Sequence, residues 1–136
     1  MTKVLLVEDD INLRDLYSAR LSAEDIEVFV ASDGEEGLTM ATSIKPDLII
    51  LDVMMPKISG FDVLDILRQT PGLEQVKVIM MTALSSEQDR QRGDRLGVSA
   101  YLVKSQVTLE DVVETAMGVL NNSINGIQPS AFTQGQ

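Results

Sequence analysis

The 136-residue sequence contains no cysteine, no histidine and no tryptophan. Without cysteine there is no disulfide, no thiol nucleophile and no thiolate ligand for a structural zinc ion. Without histidine there is no Ser-His-Asp triad and no histidine that could donate a phosphoryl group. Binding of cations, chemistry assisted by a cation and binding of basic partners remain possible.

Positive charge and long apolar runs are also scarce. There are 11 Lys and Arg residues against 21 Asp and Glu residues, which gives a net charge of −10. Because so acidic a surface repels phosphate backbones, we expect no direct binding of nucleic acid. All apolar runs are far shorter than the roughly 20 residues that cross a bilayer. We therefore expect no membrane association, and the absence of a signal-peptide pattern favours a cytoplasmic protein.

Five short apolar runs recur along the chain, at residues 4–7, 27–31, 48–51, 78–81 and 100–103. Runs of this length suit strands of a parallel sheet that is buried on both faces. Segments of helical period separate the runs, and strands that alternate with helices are typical of βαβ units. The pattern predicts an α/β fold with a doubly wound five-stranded parallel sheet. We take this fold to be the flavodoxin-like (βα)5 type with strand order 2-1-3-4-5.

Helix starts are marked by capping residues, each followed three positions later by an acid. These residues are Asp33, Ser59, Ser86 and Thr108. The fourth helix, at about residues 86–96, is almost wholly polar, so we expect it to be only lightly attached to the core. Residues 122–136 carry no charge and are rich in Asn, Ser, Gln and Gly. We predict a folded domain over residues 1–121 and a flexible tail or linker over 122–136.

Polar or charged residues stand just past four of the five apolar runs. They are Glu8, Asp9 and Asp10 after the first run, Asp52 after the third, Thr82 after the fourth and Lys104 after the fifth. In an open parallel sheet, ligands bind outside the carboxyl ends of the strands, at the switch in strand order. These side chains should therefore meet at one edge of the sheet.

The three carboxylates of Glu8, Asp9 and Asp52 would repel one another in one pocket, and a divalent cation relieves such repulsion. Ligands that are all oxygen favour Mg²⁺, with Mn²⁺ as the alternative. An aspartate can itself attack phosphorus, while a lysine and a threonine hydroxyl can hold phosphoryl oxygens. Metal, lysine and hydroxyl together are what phosphoryl transfer requires.

Four motifs carry a resemblance to a known family: VEDD at residues 7–10, LDVMMP at 51–56 with Gly60 beyond it, TA at 82–83, and YLVK at 101–104. Together they resemble the receiver domain of response regulators in two-component signalling, of the CheY-like type. The resemblance covers about residues 3–120. It implies that Asp52 accepts a phosphoryl group from a sensor histidine kinase or a phosphotransfer protein.

The resemblance also implies a role for each site residue. Asp9, Asp52 and the main-chain carbonyl of Met54 would bind Mg²⁺ directly, and Glu8 would bind it through water. Thr82 and Lys104 would hold the phosphoryl oxygens. By this resemblance the domain is not an enzyme with a separate substrate, because it catalyses only its own phosphorylation and slow dephosphorylation.

The same resemblance implies a switch. Thr82 would be drawn toward the phosphoryl group and Tyr101 would turn inward, which alters the face formed by the fourth helix, fifth strand and fifth helix. That face would bind an output protein or act on a C-terminal effector domain. The resemblance leaves open a homodimer that forms on phosphorylation.

One residue departs from the family pattern. A proline commonly follows the lysine across a cis peptide bond, whereas this chain has Ser105 after Lys104. Because a cis bond before a non-proline residue costs about 3–4 kcal/mol, either the bond is cis despite that cost or the loop and Lys104 are placed differently. Two other functions stay open. One is a docking module that is not phosphorylated, and the other is a Mg²⁺-dependent phosphatase, which would need an acid where Met54 stands.

Overall fold

A parallel sheet with helices on both faces organises residues 1–83 and 86–121, which the computed structural model describes. Within these ranges the strands are β1 (Lys3–Val7), β2 (Glu27–Ala31), β3 (Leu48–Asp52), β4 (Lys77–Thr82) and β5 (Ala100–Val103). The helices are α1 (Ile11–Ser22), α2 (Gly34–Ile44), α3 (Gly60–Arg68), α4 (Glu87–Arg95) and α5 (Leu109–Leu120), with a short 3-10 turn at Lys104–Gln106. The predicted tail at 122–136 lies outside the described residues.

The strand order is β2-β1-β3-β4-β5, and all neighbouring strands are parallel. Val7 at the end of β1 pairs with Leu51 of β3, and Leu51 pairs with Met80 of β4. The carboxyl ends of β1, β3 and β4 therefore reach the same edge of the sheet. Both the fold class and the strand order predicted from the sequence are confirmed.

Alternate residues of each strand enter two separate apolar layers. Leu5, Val7, Ile49 and Leu51 pack with residues of α2 and α3 on one face. Val4, Leu6, Leu48 and Ile50 pack with residues of α1 and α5 on the other. Both layers are buried, which explains why the strands read as continuous apolar runs rather than alternating ones. Each such side chain contributes about 1.5–3 kcal/mol when it is fully buried.

The four predicted helix caps are all present. The side chains of Asp33, Ser59, Ser86 and Thr108 each accept a hydrogen bond from the main-chain N–H three residues later. Asp10 caps α1 in a similar way, with hydrogen bonds from the amides of Asn12 and Leu13. These caps fix the points at which the chain leaves the carboxyl edge of the sheet and enters the helices.

Helix α4 is lightly attached to the core, as its polar sequence predicts. Gly93 is its one buried residue. The guanidinium of Arg92 lies over the ring of Phe61, at 4.7 Å from the ring centroid, and its nitrogen is 3.9 Å from a carboxylate oxygen of Asp62. Exposed contacts of this kind are weak, and both lie in the last turn of α4, so the helix is attached mainly near its carboxyl end.

Arg68, the last residue of α3, holds the carboxyl end of α4. Its guanidinium donates hydrogen bonds of 2.8 Å to the carbonyl oxygens of Leu96 and Val76, and a longer bond of 3.2 Å to that of Gly97. Burial lowers the pKa of Arg68 from its usual value. A half-buried cation bonded to carbonyl groups thus joins α3, the segment before β4 and the turn after α4.

None of the helices within the described ranges combines the length and the apolar character that crossing a bilayer requires.

We expect Arg68→Met to lower the free energy of unfolding by about 2 kcal/mol, because hydrogen bonds from a charged donor are lost and two partly buried carbonyl groups, of Leu96 and Val76, lose that donor. Urea unfolding followed by circular dichroism measures this change. Arg95→Met, at an exposed position of α4, removes the same charge and should change stability by less than about 0.5 kcal/mol. If both variants lost the same free energy of unfolding, the hydrogen bonds of Arg68 would not be what stabilises the carboxyl end of α4.

Candidate functional site

Three carboxylates meet at the carboxyl edge of the sheet. Glu8 and Asp9 follow β1, and Asp52 is the last residue of β3. One oxygen from each of the three carboxylates lies within 4.8 Å of the others. Glu8 is 2% exposed and Asp52 is 4% exposed, whereas Asp9 is exposed at the mouth of the site. The convergence expected from the strand order is what the structure shows.

The loop after Asp52 folds back tightly against the strand end. The amide of Gly60 donates to the carbonyl of Val53 at 2.8 Å, and a Cβ at Gly60 would collide with the main-chain oxygen of Asp52. Lys57 has a positive φ of 73°, at a turn closed by a 2.9 Å hydrogen bond between its two neighbours. Position 60 therefore requires glycine, because the main chain of the loop passes too close to the Asp52 carbonyl for any side chain.

Lys104 places its amine between two of the carboxylates. Its Nζ is 2.8 Å from Oε1 of Glu8 and 3.3 Å from Oδ2 of Asp52. The described residues contain no cis peptide bond, so the bond from Lys104 to Ser105 is trans and lies in the 3-10 turn. Of the two alternatives left open by Ser105, a costly cis bond or a changed loop, the structure has the trans bond and hence a changed loop. Lys104 nevertheless reaches both carboxylates.

Burial leaves Asp52 poorly suited to carry a charge. Burial and then the negative charge of Glu8 raise the pKa of Asp52 from 3.8 to about 7, and Lys104 opposes this rise. Burial would lower the pKa of Lys104, but its hydrogen bond to Glu8 and the charge of Asp52 outweigh burial, so that pKa is raised. The site thus holds more negative charge than its single lysine balances, and an added cation would relieve it.

The donor set fits a hard divalent cation. The gathered ligand atoms are carboxylate oxygens, and two of the three carboxylates are almost fully buried. Exposed acidic clusters are common without a metal, but burial makes the repulsion between these groups costly. The amide of Met54 donates to Oδ1 of Asp52 at 3.2 Å, which puts the Met54 main chain beside the site. Glu8, Asp9 and Asp52 are the residues that could hold Mg²⁺.

Thr82 and Tyr101 lie inside the protein near this edge. Thr82 ends β4 and is 0% exposed, and Tyr101 is in β5 and 1% exposed. The ring of Tyr101 stacks with Phe61, with centroids 6.5 Å apart and planes inclined by 21°. Tyr101 therefore already has the inward position that the resemblance assigned to the activated switch.

Two residues of α1 near the site were missed in the sequence analysis. Arg14 donates through Nη1 to the main-chain oxygen of Glu8 at 3.1 Å. Tyr17 is buried, and its pKa is raised by burial, with smaller effects from Lys104 and the surrounding acids. Their positions one and two turns into the helix after the acidic motif are the one signal that could have pointed to them.

We expect Asp52→Asn to stabilise the protein at neutral and alkaline pH. The folded protein keeps the Asp52 proton up to about pH 7, whereas the unfolded chain loses it near pH 3.8, so the wild type loses stability as pH rises between these values. Melting in the presence of a chelator should show a gain for the variant of about 4 °C or more at pH 8.

This gain should shrink toward pH 5, where folded Asp52 is protonated. Asp15→Asn, at an exposed position of α1, is the charge-matched control and should show little gain at either pH. A gain for Asp52→Asn that is the same at pH 5 and pH 8 would contradict the raised pKa.

Two transcriptional regulators are similar in sequence to this chain. CpxR of Escherichia coli, a transcriptional regulatory protein, is 48% identical over 104 residues, which cover 76% of this chain and 43% of CpxR. The probable transcriptional regulator ycf27 of Cyanophora paradoxa is 43% identical over 102 residues, which cover 75% of this chain and 41% of that protein. The chain thus spans less than half the length of these relatives.

Solved structures share the fold. The chemotaxis protein CheY4 of Vibrio cholerae is 34% identical, with a TM-score of 0.81, and the match covers 88% of this chain and 98% of CheY4. The non-phosphorylated receiver domain of HemR from Leptospira biflexa is 26% identical, with a TM-score of 0.82 and coverage of 88% and 94%.

The sequence model of the response regulator receiver domain matches residues 4–116. Because that match spans most of the chain and agrees with the strand order and with the solved structures, the chain belongs to the receiver domain family of two-component response regulators.

Proposed function

We propose that Asp52 accepts a phosphoryl group from a sensor histidine kinase or a phosphotransfer protein. The observation that carries this proposal is the buried Asp52 carboxylate, which lies 3.3 Å from the amine of Lys104 and close to the carboxylates of Glu8 and Asp9. A carboxylate oxygen of Asp52 attacks phosphorus, the bond from phosphorus to the donor's imidazole nitrogen breaks, and the imidazole keeps the electron pair.

Each neighbour of Asp52 has a part in this transfer. Asp9, Asp52 and the Met54 carbonyl would hold Mg²⁺ directly, and Glu8 would hold it through water. The ion would supply positive charge for the phosphoryl oxygens, and Mn²⁺ could replace it. Lys104 needs to move little, because its amine already lies next to Asp52 and can pair with a phosphoryl oxygen instead. Thr82, at the end of the adjacent strand, would donate a hydrogen bond from its hydroxyl to a second phosphoryl oxygen.

The raised pKa of Asp52 bears directly on reactivity. At about pH 7 a large share of these carboxyl groups is protonated, and a protonated carboxyl is a poor nucleophile. Lys104 supports the charged form by its positive charge. Transfer of the phosphoryl group raises the negative charge at position 52 from one to about two, so Lys104 and a bound divalent cation would be needed to balance the product.

We propose that phosphorylation is read out on the face formed by α4, β5 and α5. Thr82 would be drawn toward the phosphoryl group first, and Tyr101, whose ring is already buried beside Phe61, would change its packing there rather than turn inward. Light attachment of α4 supports this role, because an element held by few buried contacts shifts at low cost. The output is an effector domain or a separate protein that binds this face, or a second copy of the chain.

We expect incubation with acetyl phosphate and Mg²⁺ to add one phosphoryl group to the intact protein, as measured by mass spectrometry. Chelation of the metal should abolish the gain, because the acidic site then repels the donor. Asp52→Asn should also abolish it, whereas Asp15→Asn, on exposed α1 surface, should be phosphorylated like the wild type.

No gain in mass under any condition would contradict the proposal and leave a docking module as the function. Release of inorganic phosphate from added phosphomonoesters, with no phosphoryl group kept on the protein, would indicate the phosphatase instead.

Phosphorylation should also change amide hydrogen exchange in α4 and β5, because Thr82 precedes α4 and Tyr101 is part of β5. Exchange in α2, which lies at the other end of the sheet, should stay as it was. The comparison is made by mass spectrometry between protein with and without acetyl phosphate, and Asp52→Asn should show no difference. A change of equal size in α2 and α4 would contradict a directed switch.

A further inference from the structure

The guanidinium of Arg14 makes a contact that none of the preceding roles uses. From the first turn of α1 it reaches back to the strand end, and its Nη1 donates to the main-chain oxygen of Glu8 at 3.1 Å. The main-chain amide of Arg14 also bonds this turn, since it donates a hydrogen bond of 2.9 Å to the carbonyl of Asp10. Arg14 therefore bridges the acidic turn between β1 and α1.

This turn is held firmly on either side of Asp9. The Glu8 amide donates to Ala31 of β2 at 3.1 Å. The Glu8 carboxylate accepts from the amide of Asp10 at 3.1 Å and from the amine of Lys104 at 2.8 Å. The main-chain oxygen of Glu8 is fixed by Arg14. This oxygen precedes the Asp9 amide in the same peptide unit, so its direction sets where the Asp9 side chain starts.

Asp9 itself is exposed. An exposed carboxylate samples several rotamers unless its backbone holds it toward the other ligands. Glu8 and Asp52 are buried and have partners of their own. Of the three acids, Asp9 thus depends most on the orientation of its own peptide unit.

We propose that Arg14 is a positioning residue for divalent metal binding, which acts by holding the Glu8–Asp9 peptide so that the Asp9 carboxylate faces Asp52. This inference rests on the proposed function, because it assumes that the acidic cluster binds Mg²⁺. Partners that orient metal ligands typically change metal affinity by about 10–100-fold when they are removed.

Two effects of Arg14 on Mg²⁺ binding have opposite signs. Its positive charge near the acidic cluster opposes binding of a cation, so loss of the charge alone would strengthen binding. Its hydrogen bond orients Asp9, so loss of the bond would weaken binding. Because the guanidinium is partly exposed and its charge is screened by water and salt, we expect the hydrogen bond to decide the result.

The test is isothermal titration of Mg²⁺ into the wild type and three variants in buffer without phosphate. Arg14→Met removes both the charge and the donor, and we expect Mg²⁺ binding to weaken about 10-fold. Arg14→Lys keeps the charge and a shorter donor, and we expect a smaller loss. Arg20→Met removes the same charge from the same helix, at a side chain that pairs with Glu24 and Glu110, and we expect wild-type affinity.

Each outcome has a distinct meaning. Weaker binding by Arg14→Met, with a melting temperature in chelator close to that of Arg20→Met, supports the positioning role, since general destabilisation would lower that temperature as well. Unchanged or tighter binding by Arg14→Met overturns it while leaving the metal site in place. If Arg14→Met does not fold, Arg14→Lys decides, and wild-type affinity there overturns the role. Failure of the wild type to bind Mg²⁺ overturns the proposed metal site and this inference with it.

Discussion

Repulsion between carboxylates at the carboxyl edge of the sheet is the constraint on which the site depends. Parallel pairing of β1 with β3 brings Glu8 and Asp52 together, and burial removes the water that would screen them. One lysine amine, within 3.3 Å of both, offsets part of this cost. The fold tolerates an unfavourable site because the two apolar layers around the sheet stabilise it, and strain of this kind commonly marks a functional centre.

The same edge is connected to the surface through Phe61. The tight turn at Gly60 places Phe61 directly after the Asp52 loop, where its ring stacks with Tyr101 and lies under the guanidinium of Arg92 of α4. Arg68 fixes the same carboxyl end of α4 to α3, since it donates to the carbonyl of Leu96. Helix α4 is therefore fastened at its carboxyl end and lightly held elsewhere, which suits an element whose position depends on the state of Asp52.

The strands and the helix starts were predictable because local sequence determines them. Apolar runs identify the buried strands, and capping residues such as Ser59 and Thr108 mark the first turn of a helix. The meeting of Glu8, Asp9 and Asp52 followed from strand order. The contacts of Arg14, Arg68 and Arg92 were not predictable, since each guanidinium reaches a partner whose position depends on the packed fold. The raised pKa of Asp52 could not be predicted either, because it depends on how deeply the fold buries this side chain. The trans bond after Lys104 depends on the path of its loop, which the sequence does not give.

Asp52 is held in a site with more negative charge than Lys104 balances, and a divalent cation would relieve it. Carbon-13 NMR titration of the Asp52 side-chain carboxyl, with and without Mg²⁺, measures this directly. We expect a titration midpoint at about pH 7 without metal, and a midpoint well below that value when Mg²⁺ is bound. A midpoint near the ordinary value of 3.8 that does not respond to Mg²⁺ would contradict it.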